Sequence, residues 1–241
     1  MLKKKPTPQI TLEHPSLSLA DAYAIQSLLV HRRQQRGERR IGMKMGLTSR
    51  AKMAQVGVHE MSWGRLTDAM LLEEGGLLAR ANYIHPRLEP ELAFLIGKPL
   101  SGVVTAAQAM AAVDGVAPAM ELVDSRYLDF KFTLNDVVAD NSSAAGLVIG
   151  SWCAPSQDLT NLGVVMEVNG IVIETASTAA ILGNPVRALV AAARLAGEAG
   201  EVLHPGDIVM SGGLTAAYAI EPGETVRATL QNLGFISITV T

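Results

Sequence analysis

The chain has little that could crosslink it, anchor it in a membrane or bind it to nucleic acid. Cys153 is the only cysteine among 241 residues, so there is no disulfide framework, and a reducing cytoplasm is the expected compartment. No run approaches the 18 apolar residues that a membrane span requires. Residues 3–5 resemble the start of a signal peptide, but prolines and polar residues follow them. The net charge of −3 offers no basic surface for nucleic acid.

Aromatic and charged residues are also scarce, at 4% and 18% of the chain, whereas hydrophobic residues reach 49%. Disordered chains have the opposite balance between charged and hydrophobic residues. A chain of this length can bury a sizeable core, either as one large domain or as one domain with a smaller cap. Its many small side chains suit short strands that pack closely.

Local patterns predict helices mainly in the N-terminal third. Ser18 and Asp21 have the spacing of a capping box, and helical periodicity follows until Gly37. Ser49 is in a position to cap a short helix that Gly57 would end.

The remainder of the chain is predicted to be rich in strands. Asn169-Gly170 separates two apolar runs and is a strong hairpin signal, and a short strand is expected over residues 120–123. The sum is an α+β chain. Residues 1–75 are expected to form an N-terminal α/β cap, and residues 76–241 a β-rich metal-binding catalytic domain, the two as one continuous unit.

Two glutamates two positions apart are the first indication of chemistry. In a strand Glu89 and Glu91 share a face, about 7 Å apart at the backbone. Ala93 and Leu95 continue that face, so the acids lie at the mouth of an apolar region, where two like charges need a cation. Pro90 between them predicts an edge strand or a bulge. On this pair alone, a metal site and an ordinary pair of acids remain equally open.

Glu121 adds a third carboxylate. It is flanked on both sides by apolar residues, and burial of a lone carboxylate is costly. The five histidines show no metal-binding spacing. Three carboxylates without cysteine or paired histidine describe a site for a hard cation, Mg²⁺ or Mn²⁺.

Lys44 is the second unusual residue. Gly42 and Gly46 flank it on the same face of a predicted strand, which clears its surroundings of side chains and allows a substrate to approach the backbone. The alternative is a lysine that reaches water from an edge strand. Both interpretations remain open at this stage.

Two polar segments complete the candidates. Residues 124–143 hold many hydroxyl and amide groups that can bind a substrate carboxylate or satisfy turns. Residues 211–215 end a strand at two glycines, which suits either a backbone anion site or a β-bulge.

Together these motifs resemble the family of 4-oxalocrotonate decarboxylases and 2-oxopent-4-enoate hydratases, which shares the fold of the C-terminal domain of fumarylacetoacetate hydrolase. The segments that carry the resemblance are, in order, residues 41–49, 87–94, 121–126, 138–141 and 212–215. It implies an α+β, β-rich fumarylacetoacetate-hydrolase-like fold with a smaller helical N-terminal part.

The resemblance also implies roles for individual residues. Glu89, Glu91 and Glu121 fall on the ligands of the family's Mg²⁺ or Mn²⁺, and Lys44 on its active-site lysine. Ser143 lies near a position that touches the substrate carboxylate, and Thr215 belongs to a segment expected to bind substrate.

One position bears on the choice between the two activities. The hydratases carry an aspartate in a Pro-Asp-aromatic-Gly pattern where this chain has Ser62, and addition of water needs a group that moves protons. Residues 130–132 and 212–217 also look more like the decarboxylases.

The expected activity is therefore metal-dependent decarboxylation of 2-oxohex-3-enedioate (4-oxalocrotonate) to 2-hydroxypenta-2,4-dienoate and CO₂. The alternatives are a hydratase of the same family and a non-catalytic partner subunit of that hydratase. Apolar strand surfaces with few charges predict a homo-oligomer, and the resemblance implies a possible complex with the pathway hydratase.

Overall fold

The computed structural model describes residues 5–50, 53–54 and 61–241. In these ranges the helices are α1 (Ile10–Glu13), α2 (Leu19–Gln35), α3 (Ala106–Met110), α4 (Leu134–Ala139) and α5 (Val186–Glu198). The strands are β1 (Arg40–Gly46), β2 (Ser62–Thr67), β3 (Leu71–Leu72), β4 (Leu77–Leu78), β5 (Pro86–Ile96), β6 (Val113–Asp124), β7 (Ala144–Ile149), β8 (Gly163–Val168), β9 (Ile171–Ser177), β10 (Ile208–Met210), β11 (Tyr218–Ala219), β12 (Thr225–Leu230) and β13 (Gly234–Val240).

The larger sheet positions the candidate site. Its order is β2-β1-β10-β5-β6-β7-β3, with β11 also paired to β5. Only the short turn Asp68–Met70 separates the two end strands, β2 and β3, along the chain, so the sheet curls until its ends meet. We call the face inside this curl the inner face. It carries an apolar cluster that includes Leu66, Ala93, Ala119, Leu147 and Met210.

The outer face of this sheet is covered by the rest of the protein. A second sheet, of order β4-β13-β12-β8-β9, packs on it through Met120 and Leu122, which contact a cluster that includes Met166 and Ile236. Helix α5 covers another part of the same face in a cluster with Met43 and Met45. Because successive side chains of a strand alternate between faces, Lys44 lies on the inner face between these two methionines.

This architecture confirms the predicted α+β, β-rich fold. The capping box of Ser18 and Asp21 is present at the start of α2. Asn169-Gly170 joins β8 to β9 with φ values of 51° and 77°, as the hairpin signal predicted. Gly57, the predicted end of the helix that follows Ser49, lies outside the described residues. No helix in the described ranges is long and apolar enough to cross a membrane.

Two local predictions need correction. The short strand expected over residues 120–123 is the end of the twelve-residue strand β6. The prediction of a bulge at Pro90 is wrong, because the register between β5 and β6 runs unbroken through it. Pro90 instead lies where the neighbour of β5 changes from β11 to β10, and its carbonyl accepts a hydrogen bond from the backbone of Leu214 at 2.8 Å. Pro90 therefore lies in a gap between β11 and β10. The missing N–H group of a proline is tolerated there, as it is at the edge of a sheet.

A buried carboxylate of α4 helps to hold the N-terminal segment in place. Asp136 accepts hydrogen bonds from the backbone and hydroxyl groups of both Thr11 and Thr133, at 2.8 to 2.9 Å. Burial alone would raise the pKa of Asp136, but these donors outweigh burial and lower it.

We therefore predict that Asp136→Asn destabilises the protein by about 2 kcal/mol at pH 7, because hydrogen bonds to a charged group are lost. A lowered pKa in the folded state stabilises the fold above the unfolded pKa of about 3.9, and that contribution disappears as the pH falls further. Urea unfolding at pH 7 and at about pH 3.5 should show the variant and the unmodified protein converging in acid. The exposed control Asp158→Asn should cost less than about 0.5 kcal/mol, and an unchanged midpoint for Asp136→Asn at pH 7 would contradict the assignment.

Candidate metal centre and active site

The structure brings the three predicted glutamates together on the inner face. Glu89 and Glu91 project from β5, and Glu121 lies directly opposite Glu89 on β6. Each offers a carboxylate oxygen within 4.8 Å of the others. Glu91 and Glu121 are completely buried and Glu89 is nearly so. Among the described residues, these acids form the group with the geometry to hold a metal ion.

This crowding changes the acidity of the cluster. Burial raises the pKa of Glu91 well above its ordinary value, and the charges of Glu121 and Glu89 raise it further. Burial likewise raises the pKa of Glu121 to about 7, although the positive charge of Lys44 partly opposes the shift. A buried carboxylate that resists ionisation lacks positive charge in its surroundings, and a divalent cation would supply that charge.

The hydrogen bonds of the cluster lead to the same conclusion. One oxygen of Glu91 accepts a hydrogen bond from the backbone N–H of Gly212 at 2.8 Å. Within the described part of the chain, Glu91 Oε1 and Glu121 Oε1 are buried without a hydrogen-bond partner. Hard oxygen donors with unused lone pairs fit Mg²⁺ or Mn²⁺.

Lys44 lies beside these acids. Its Nζ atom is 2.9 Å from Glu121 Oε2 and donates a hydrogen bond to the backbone carbonyl of Ser142 at 3.0 Å. The alternative of a lysine that reaches water from an edge strand is excluded, because β1 lies between β2 and β10 and Lys44 is only 4% exposed. Burial would lower the pKa of Lys44, but the charges of Glu121, Glu89 and Glu91 outweigh burial and raise it. The neighbouring acids therefore favour the ammonium form of Lys44.

Ser62 shares this face. It is the first residue of β2 and pairs with Gly46. Lys44 pairs with Gly64 two residues further along these strands, so the side chains of Ser62 and Lys44 point to the same side of the sheet. A Cβ atom at Gly46 would lie 2.6 Å from Ser62 Oγ. The serine hydroxyl therefore fills the space that the glycine leaves open.

The two predicted substrate-binding residues differ in their surroundings. Ser143 follows the residue that binds Lys44, and its buried hydroxyl has no hydrogen-bond partner in the described ranges, so it can bind a ligand. The hydroxyl of Thr215 donates to the carbonyl of Ala216 at 2.9 Å and lies 3.9 Å from the sulfur of Met166 in the second sheet. The part of Thr215 in substrate binding stays a prediction.

Three residues near the site had no individual role predicted from the sequence. Gly212 contributes a backbone N–H to Glu91, Ser142 contributes its carbonyl to Lys44, and the side chain of Asn141 bonds the backbone of Arg65. The resemblance had marked residues 138–141 and 212–215. Ser142 lies outside those segments, but the polar segments 124–143 and 211–215 include all three residues. A backbone contact between residues distant in sequence leaves no trace in residue type, so the sequence could mark the segments and not the individual roles.

Comparison with known proteins identifies the family. The family model described as fumarylacetoacetate (FAA) hydrolase C-terminal matches residues 41–241. The chain belongs to this family. It is 53% identical over 237 residues to a 4-oxalocrotonate decarboxylase from Pseudomonas sp, an alignment that covers 98% of this chain and 92% of the relative. This agreement confirms the resemblance seen in the motifs.

Two further relatives of the family bear on activity. A solved 4-oxalocrotonate decarboxylase from Pseudomonas putida G7, complexed with magnesium and adipate, superimposes with a TM-score of 0.95 at 38% identity and covers 98% of this chain and 91% of its own. A 2-keto-4-pentenoate hydratase from Paraburkholderia xenovorans (strain LB400) is 34% identical over 239 residues, or 98% of this chain and 89% of the relative.

The acidity of the cluster predicts how stability depends on pH and Mg²⁺. A raised pKa in the folded state stabilises the protein below the ordinary value of 4.5, and this contribution is lost as the pH rises towards about 7. The metal-free protein should thus be less stable at pH 8 than at pH 5, because Glu121 is ionised at pH 8, and Mg²⁺ should bind better at pH 8. Saturating Mg²⁺ should raise the unfolding temperature by about 5 to 10 °C at pH 8 and by much less at pH 5.

The variant Glu121→Gln removes one of the repelling charges, so its metal-free form should be more stable than the unmodified protein at pH 8 and respond less to Mg²⁺. The exposed control Glu198→Gln should behave like the unmodified protein. Equal responses to Mg²⁺ at both pH values would contradict the coupling between ionisation and metal binding.

Proposed function

We propose that this protein is a divalent-metal-dependent carboxy-lyase that converts 2-oxohex-3-enedioate (4-oxalocrotonate) to 2-hydroxypenta-2,4-dienoate and CO₂. The observation that carries this proposal is the buried cluster of Glu89, Glu91 and Glu121 beside the ammonium group of Lys44. The chain that holds this cluster is 53% identical to a decarboxylase named for that substrate.

Decarboxylation leaves an electron pair on the substrate that must be stabilised. When the bond between C5 and the C6 carboxylate breaks, its electrons shift through the C3–C4 double bond, and negative charge develops on the 2-oxo oxygen. Glu89, Glu91 and Glu121 would hold Mg²⁺ or Mn²⁺, which supplies positive charge to the oxygens of the 2-oxo acid when bound. Lys44 adds a fixed ammonium group beside this position, and fixed charges stabilise such an oxygen without reorganising during the reaction.

The inner face also suits the departure of CO₂. Ala93, Ala119 and Leu147 line it next to the glutamates. A carboxylate that leaves as a neutral molecule gains from apolar surroundings, because its charge is lost in the step. Small and apolar side chains on both sides of the cluster therefore favour release of CO₂.

Ser62 favours decarboxylation over hydration. Addition of water requires a group that gives and takes protons, and a serine hydroxyl is a weak acid and a weak base. Ser62 lies on the same face as Lys44, at the position where the resemblance places the aspartate of the hydratases.

We also propose a homo-oligomer in the cytoplasm, with a possible complex with the pathway hydratase. Strand β9 supports self-association, because it is an end strand of the second sheet and exposes Ile171 and Val172. An exposed apolar end strand invites pairing with another chain.

The central prediction is that the purified protein with Mg²⁺ releases CO₂ from 2-oxohex-3-enedioate and does not hydrate 2-hydroxypenta-2,4-dienoate. Lys44→Met should lower kcat by about 10² to 10³-fold, the range expected for one electrostatic donor, while Mg²⁺ binding persists because the carboxylates remain. Both activities are followed by CO₂ release and by absorbance of the dienol. The control Lys98→Met, at an exposed lysine, should leave the rate unchanged. Efficient hydration without CO₂ release would assign the chain to the hydratases instead.

Ser143 gives a separate prediction about substrate binding. Its unpartnered hydroxyl is expected to donate to a substrate carboxylate, and a hydrogen bond to a charged group contributes about 1.5 to 3 kcal/mol. Ser143→Ala should therefore raise KM by at least about tenfold and change kcat by less than threefold. Ser156→Ala, at an exposed serine, is the matched control. An unchanged KM in Ser143→Ala would remove this residue from the substrate site.

A further inference from the structure

The turn beside Lys44 has an unusual backbone. Asn141, Ser142 and Ser143 have φ values of 51°, 52° and 56°, so three successive residues other than glycine are left-handed. Each such residue costs on the order of 1 kcal/mol, and strain of this kind persists only where the surrounding structure enforces it. The turn is fully buried, which means that the protein itself must hold this conformation.

The side chain of Asn141 holds the turn against β2. Its Oδ1 atom accepts a hydrogen bond from the backbone N–H of Arg65, and its Nδ2 atom donates to the carbonyl of the same residue, both at 2.8 Å. The asparagine amide thus pairs with β2 as a neighbouring strand would. The hydroxyl of Ser142 adds a third bond, to the carbonyl of Trp63 at 2.8 Å.

The turn also packs directly on this strand. A Cβ atom at Gly64 would lie 2.5 Å from the carbonyl oxygen of Asn141, so a larger residue there would push the turn away. Gly64 pairs on its other side with Lys44. Residues 63–65 of β2 therefore contact both β1, which carries Lys44, and the turn whose carbonyl accepts a hydrogen bond from the lysine.

The turn offers Lys44 a neutral acceptor. The carbonyl of Ser142 accepts a hydrogen bond from Nζ at 3.0 Å, while Glu121 Oε2 lies 2.9 Å from the same atom. Lysine has a long side chain with several rotatable bonds, and among three carboxylates it has more than one place to settle. The uncharged contact with the carbonyl of Ser142, which comes from a fixed direction, selects one of these positions.

We infer that Asn141 is a positioning residue for the reaction, because its paired bonds to Arg65 hold the Ser142 carbonyl where it fixes the ammonium group of Lys44. This inference rests on the proposed function for the role of Lys44. A displacement of about 1 Å in a catalytic group can cost on the order of 10² in rate. Asn141 thus acts on turnover through Lys44.

The variant Asn141→Gly tests this inference, because glycine adopts the left-handed conformation without strain and only the amide is lost. We expect kcat to fall by about 10 to 100-fold, with KM and the Kd for Mg²⁺ within about threefold of the unmodified protein. The matched control is Asn232→Gly, since Asn232 is also left-handed, with φ 63°, and is exposed. It should leave all three constants unchanged.

A double-mutant cycle separates positioning from general support of the fold. If Asn141 acts through Lys44, then Asn141→Gly should have less than about a twofold effect in the Lys44→Met background. The same 10 to 100-fold loss in both backgrounds would overturn the inference. The cycle can be measured with whichever reaction the unmodified protein catalyses. If that reaction is hydration, the proposed function is refuted, but the role of Asn141 is still tested.

A crystal structure of Asn141→Gly gives a readout that does not depend on activity. The distance from Lys44 Nζ to the Ser142 carbonyl should exceed about 3.5 Å, beyond a hydrogen bond. An unchanged contact in the variant would show that Asn141 does not position the lysine and would overturn the inference.

Discussion

Glu89, Glu91 and Glu121 place three carboxylates inside the fold, and the cost of burying like charges constrains the structure around them. Several groups compensate for the cost of burying these charges. Lys44 brings a positive charge from β1, and the backbone of Gly212 brings an N–H group from the segment after β10. Glu91 Oε1 and Glu121 Oε1, which have no hydrogen-bond partner within the described part of the chain, are free to bind a cation. The curled sheet can therefore be understood as the frame that holds these groups at short range.

Much of the carboxylate cluster was predictable, because it depends on local rules. The alternation of a strand placed Glu89 and Glu91 on one face, and the apolar neighbours of Glu121 marked it as buried. Lys44 could not be decided from the sequence alone, since a lysine between glycines suits either a strand edge or a cleared pocket. Only the position of β1 between β2 and β10 removed the first possibility.

Other features depend on contacts that residue types do not record. Strand β6 was predicted too short because it is buried on both faces and lacks the alternation that marks a half-exposed strand. Pro118 within β6 lies where the neighbouring strand β7 has ended. The roles of Asn141 and Ser142 arise from bonds to backbone atoms more than 70 positions away.

The pairing of strands also implies an order in which the site is assembled. Strands β5 and β6 are antiparallel and close in sequence, so the three carboxylates can meet as soon as this hairpin forms. Strand β1 pairs in parallel with β10, from the other end of the chain, and contacts between such distant segments form slowly. The pairing of β1 with β10 needs residues 208–210, whereas the hairpin of β5 and β6 needs only residues 86–124, so the acids can meet before Lys44 is fixed beside β10. Until Lys44 is in place, cations from the surrounding solution can balance the charge of the carboxylates. Metal binding can therefore begin to stabilise the protein before its fold is complete.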